Sequence, residues 1–178
     1  FPRVAYVPRV RGQVVSAVDR TPLPGALVEA CWGFTRDVVG FSYNGSLASD
    51  YRFTDGEGRF SIPGRLVFFV HAMGLVPIMW TTLGEVALGV DAGPLYRLSS
   101  EERLPWGRWL MLMGPRPLQA GLVRWPITPR SVASHYHAWY EGCVRRADVL
   151  LRERGAKRHP HYRQLLEYRA EMVRKASE

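Results

Sequence analysis

Thr54-Asp55-Gly56-Glu57-Gly58-Arg59-Phe60-Ser61-Ile62-Pro63 reads as a strand end, a tight turn and a returning strand. Asp-Gly favours the positive backbone angles of short hairpin connections, so Asp55 to Gly58 is expected to reverse the chain. Beyond it Phe60 and Ile62 alternate with Arg59 and Ser61, the period of two that turns one strand face to a core. Outward toward the N-terminus, residues 26–32 form another extended run, in which Ala26, Val28 and Ala30 face inward. The segment before it, Asp19-Arg20-Thr21-Pro22-Leu23-Pro24-Gly25, is dense in turn residues and reads as a loop, and residues 11–18 form the first strand. Residues 37–48 are rich in Gly, Ser and Asn and poorly periodic, which predicts a long loop with the next strand starting at Ser49. Toward the C-terminus, residues 66–72, 75–82, 85–90 and 95–98 complete seven or eight short strands at the spacing of a sandwich or barrel.

Three pieces of this region carry a resemblance. Gly12-Gln13-Val14-Val15, then Pro22-Leu23-Pro24-Gly25-Ala26-Leu27-Val28-Glu29-Ala30, then the hairpin from Thr54 to Pro63, resemble in order and spacing the carboxypeptidase regulatory-like domain. Val70-His71-Ala72-Met73-Gly74 resembles the strand ending that follows. The likeness covers about half the chain, residues 10–98. It implies a mainly β fold: a seven- to eight-stranded Greek-key β-sandwich, transthyretin-like, of a kind that serves as a folding, docking or spacer module in exported proteins and carries no catalytic site. Transthyretin-like hydrolases end in Tyr-Arg-Gly-Ser, which this chain lacks.

The rest of the chain lies outside the resemblance. Residues 1–9 read as an N-terminal arm. Residues 99–127 concentrate Trp106, Trp109, Met111, Met113 and Trp125 among Pro105, Pro115, Pro117 and Pro126. Prolines at that density disfavour a long helix or a central strand, so an extended arm is expected, with those five residues as the candidate partner interface. Residues 128–178 read as a helical tail of two helices, a C-terminal α-helical hairpin. Thr128 would cap the first, with Pro129 in its first turn. Its apolar stripe is Val132, Tyr136, Trp139, Tyr140, Cys143, Ala147, Leu150 and Leu151, closed by Gly155. The second follows Pro160, with Tyr162, Leu165, Leu166, Met172 and Val173 as its apolar side.

Composition limits the function. The 178 residues are 47% apolar and 22% charged, as in ordinary globular proteins, with six Trp and eight Tyr, a surplus of aromatics that suits interfaces. The formal net charge of +8 favours an anionic partner. The tail holds Arg145, Arg146, Arg152, Arg154, Lys157, Arg158, Arg163, Arg169, Arg174 and Lys175 with acids interspersed, a solvated face able to meet anionic lipid or an acidic protein. No nucleic-acid motif accompanies it, and none is expected as a partner. No apolar run reaches the roughly 18 residues that span a bilayer. The chain begins at Phe1, so either a leader or an end has been trimmed, and a removed leader would imply export to the periplasm or the exterior.

Motifs for chemistry are sparse. Cys31 and Cys143 can be read as a disulfide tying tail to sandwich, worth roughly 3 to 5 kcal/mol by chain entropy, or as two buried free thiols. Without Cys-x-x-Cys, neither redox catalysis nor structural zinc is expected. His135 and His137, two apart on a helix, point to different sides, and His159 and His161 flank Pro160 at a helix start, so no metal or cofactor is expected. Asp50, Asp55 and Glu57 lack calcium-loop spacing. No nucleotide loop or serine elbow is present, so no catalytic residue is assigned. The expectation is a non-catalytic periplasmic or secreted accessory subunit that docks on a larger assembly, such as the outer face of a membrane respiratory or photosynthetic complex. The rival is a free-standing carbohydrate or cell-wall binding module, which requires exposed aromatics on the sandwich, Tyr43, Tyr51 and Phe53 first.

Overall fold

A computed structural model of the chain describes residues 2–7, 9–16, 19–38, 41–70, 79–94, 96–98, 104–105, 118–124, 132–153 and 155–178. Its strands are β1 (Pro2–Val7), β2 (Val10–Ser16), β3 (Leu27–Val38), β4 (Phe41–Phe53), β5 (Arg59–Ile62), β6 (Arg65–Val70), β7 (Met79–Asp91), β8 (Tyr96–Leu98), β9 (Leu104–Pro105) and β10 (Leu118–Arg124). Helix α1 (Val132–Arg152), a 3-10 turn (Ala156–Arg158) and helix α2 (Tyr162–Ser177) follow. One two-stranded sheet has the order β1-β6, and two four-stranded sheets have the orders β5-β2-β10-β8 and β4-β3-β7-β9. β2 pairs antiparallel with β5 and parallel with β10, so that sheet is mixed. The chain divides into two compact units, residues 1–90 with 98–123, and residues 91–97 with 124–178.

The first unit is built around the Asp55–Gly58 turn and the strands that flank it. Ala26, Val28, Ala30, Phe60 and Ile62 are all buried, as their alternation predicts, joined by Val7, Val10, Val14, Leu27, Trp32, Tyr51, Phe53, Leu88 and Val90. The Asp55–Gly58 turn forms as expected, but its positive angle falls on Gly58 (φ 70°) and not on Gly56. The Gly58 N–H bonds to the Asp55 carbonyl, and the Asp55 carboxylate accepts from the backbone N–H of Glu57 (2.9 Å) and Arg59 (2.8 Å). This is a turn closed by a left-handed glycine, a common hairpin solution. The buried Thr54 hydroxyl accepts from the Ala26 N–H (2.8 Å) and donates to the Leu23 carbonyl (2.7 Å), clasping the Pro-Gly-Ala lead-in of β3 to the end of β4. Val14 N–H bonds to the Gly58 carbonyl and Leu23 N–H to the Val14 carbonyl. The three motifs therefore meet at one place.

Four expectations are corrected in this unit. Residues 41–48 are no loop: they belong to β4, which pairs with β3 from Val38↔Phe41 to Leu27↔Phe53, with a shift of register between Trp32 and Gly33. Backbone pairing in a long hairpin does not require an apolar period, which is why the composition misled. Residues 79–91 form one strand and not two. Residues 2–7, read as an arm, form β1 and pair with β6 from Pro2↔Val70 to Val7↔Arg65. Within the Pro-rich segment, Leu118–Arg124 is an inner strand beside β2, because Pro115 and Pro117 precede it and Pro126 follows it, leaving seven residues free to pair.

In the second unit α1 and α2 pack on each other. Cys143, Ala147 and Leu150 of α1 and Leu165 and Met172 of α2 are buried, as is Ala156 in the link between them. Gly155 takes φ 90° between the helices, consistent with its expected closing role. Thr128 and Pro129 lie outside the described residues. The expected apolar side of α2 is only partly covered: Leu166 is 41% and Val173 39% exposed.

Candidate functional site

A group of largely buried polar side chains lies within the second unit. Asp91, at the end of β7, accepts from Arg146 of α1, Oδ2 to Nη1 2.7 Å, with only 14% of the Asp91 side chain exposed. Cys143 lies one turn before Arg146 on α1, and Tyr168 of α2 is close enough for each to influence the other's titration. Burial raises the Asp91 carboxyl above its ordinary range, and the Arg146 guanidinium only partly offsets this. Burial likewise pushes the Cys143 thiol up to about 12, helped by the Asp91 charge. Tyr168 is shifted up by burial and by Cys143.

These directions decide the chemistry. A nucleophilic cysteine needs its thiolate, and a thiol pushed that high stays protonated at neutral pH. Asp91, Cys143, Arg146 and Tyr168 thus make a buried polar cluster within the second unit, held by the Asp91–Arg146 pair. A second pair, Arg169 of α2 to Asp148 of α1 (Nε to Oδ1 2.5 Å), joins the helices nearer solvent. His135 contacts the Pro94 carbonyl (3.0 Å), whereas His137 faces Glu141 (3.3 Å), so the two histidines diverge as their spacing predicts. The His161 N–H donates to His159 Nδ1 (3.1 Å), a local helix-start contact. Among the described residues no group of His, Cys, Asp or Glu is placed to hold a metal ion.

Sequence reading missed Asp91 and Tyr168. The available signal was a lone acid ending the apolar run Val86-Ala87-Leu88-Gly89-Val90. Of the predicted site residues, Cys31 and Cys143 carry free thiols; Cys31 is half-buried with Sγ 3.2 Å from Ser46 Oγ. Trp106, Trp109, Met111, Met113 and Trp125 lie outside the described residues. Tyr51 and Phe53 are 3% and 8% exposed, so they cannot form the aromatic face that a carbohydrate module requires.

Apolar exposure concentrates elsewhere. Besides Leu166 and Val173 on α2, Val149 of α1 is exposed, and so are Tyr6 of β1 and Leu66 and Phe68 of β6. No described helix is long and apolar enough to cross a membrane. No family model, curated protein or solved structure matches the chain.

Proposed function

We propose that this chain is a non-catalytic accessory subunit that acts in the periplasm or outside the cell, docking on and stabilising a larger assembly at the outer face of a membrane. In this reading the two four-stranded sheets are the layers of a Greek-key sandwich of the carboxypeptidase regulatory-like kind. Support for that likeness is the convergence of its three motifs through Thr54, Val14, Leu23 and Gly58. Fold likeness alone does not carry function. The observation that carries docking is the pair Leu166 and Val173, seven residues apart on α2 and substantially exposed, on a hairpin whose helices are joined by Asp148–Arg169. Apolar side chains held at fixed positions suit a permanent partner.

The test is native size-exclusion of a gentle detergent extract of the source cells, following this chain by mass spectrometry. Co-elution with a large complex is expected, and Leu166→Glu with Val173→Glu should release the chain from it. Migration of the unaltered chain at its own 20.2 kDa would overturn the reading.

A further inference from the structure

Acids and bases offset each other along the bodies of the two helices but not where the chain turns between them. Residues 132–151 hold Arg145 and Arg146 against Glu141 and Asp148, and residues 164–178 hold Arg169, Arg174 and Lys175 against Glu167, Glu171 and Glu178. Each stretch is formally neutral. Between them, residues 152–163 hold Arg152, Arg154, Lys157, Arg158 and Arg163 against Glu153 alone, five charges less one, or half of the chain's net +8.

The backbone fixes this excess at one end of the hairpin. The Ala156 N–H donates to the Glu153 carbonyl (3.0 Å), Arg158 to Gly155 (2.9 Å) and Tyr162 to His159 (3.0 Å), and Ala156 is buried, so the turn is bonded step by step. Arg152, Lys157, Arg158 and Arg163 are exposed. None of the four forms a side-chain hydrogen bond or ion pair with a described residue, and Asp148, Glu171 and Glu178 are engaged by Arg169, Lys175 and Arg174. Arg152 lies two residues after the buried Leu150 and Arg163 two before the buried Leu165, a rotation of about 200° on a helix. Both side chains therefore leave the hairpin on the sides away from its interior.

That geometry selects the partner. Cations that diverge around an end cannot close on one small anion, which needs donors aimed at a single point. A protein interface has an apolar centre with charge at its rim, whereas no large apolar side chain is exposed among the described residues of 152–164. The rings there, His159, His161 and Tyr162, are half-buried, which leaves no open platform for stacked bases. A plane of lipid phosphates can meet all four cations together and requires no apolar centre, because each basic residue near an anionic leaflet is attracted by its charge alone.

We propose that the turn end of the helical hairpin is a contact surface for an anionic bilayer, with Arg152, Lys157, Arg158 and Arg163 meeting lipid phosphates. The contact is electrostatic and therefore sensitive to salt. It does not rest on the subunit reading, since vesicles test the isolated chain and co-elution tests its complex. The test is flotation of the full chain with vesicles of phosphatidylcholine mixed with phosphatidylglycerol, against phosphatidylcholine alone. The chain should float with the anionic vesicles at low salt, be released by high salt, and stay behind with the neutral vesicles. Lys157→Gln with Arg158→Gln should lower the partition coefficient roughly 25-fold, about fivefold per charge, and Arg152→Gln with Arg163→Gln should do the same. Arg11→Gln with Arg174→Gln removes the same charge elsewhere and should lower it less than about threefold. Far-ultraviolet circular dichroism checks that each variant is folded. Failure of the unaltered chain to float overturns the proposal, even if the chain binds duplex DNA or polyglutamate. Equal losses from the control pair and the two turn pairs also overturn it, because net charge would then account for the binding.

Discussion

Gly58 takes φ +70°, and a Cβ added there would stand 2.6 Å from the Val14 carbonyl oxygen and 3.0 Å from the Leu23 nitrogen. Both obstacles are backbone, so neither can swing aside. Gly58→Ala should therefore destabilise the first unit by about 3 kcal/mol, combining a left-handed angle with a steric conflict. Gly56, two residues earlier in the same turn, has open space around it and no positive angle. Gly56→Ala should stay within about 0.5 kcal/mol. Denaturant titration of the two variants checks this, and equal losses would contradict the turn geometry. The sequence marked both glycines as turn residues. Only the approach of β2 and the Leu23 loop distinguishes them.

At the scale of elements, Asp91 is tied to α1 by a pair whose pH response has a defined sign. Burial raises the Asp91 carboxyl above its ordinary value of 3.8, so its contribution is fully present below that value and is lost as pH rises through the folded value. Arg146 limits the loss by compensating the ionised carboxylate. Arg146→Met should then cost about 2 kcal/mol near neutral pH, and the deficit should shrink as the solution is acidified and Asp91 takes up a proton. Asp148 and Glu171 respond in the opposite direction: Arg169 and Lys175 hold them below the usual range, and their contribution fades as pH falls. Stability of both proteins measured from neutral to acid pH isolates the Arg146 term. A deficit that grows with acid would refute it. The helices themselves were legible from their apolar stripes, but the Asp91 contact was not, because it joins residues 55 apart in the chain.

Over the whole molecule, the division into two compact units predicts independent melting. Calorimetry should resolve two transitions, of which Gly58→Ala lowers one and Arg146→Met the other. A single transition shifted by both substitutions would show that the units unfold as one. The second unit draws residues 91–97 from between strands of the first, which no linear division of the sequence anticipates.

Local chemistry determined what the sequence alone could reveal. Turn residues placed the Asp55–Gly58 reversal, period-two alternation placed Val28, Ala30, Phe60 and Ile62 in a core, and 3.6-residue spacing placed Cys143, Ala147 and Leu150 on the covered side of α1. Partner choice among strands was decided only by the tertiary structure. β1 found β6 across the 57 intervening residues 8–64, β10 inserted parallel to β2, and residues 41–48 extended a hairpin that their polarity concealed. Backbone hydrogen bonds join strands without regard to side-chain type, so pairing between distant segments leaves little mark on either one. Exposure depends on neighbours in the same way: Leu165 and Leu166 are identical side chains in one helix, yet the first is buried and the second is exposed because α1 covers only one side of α2.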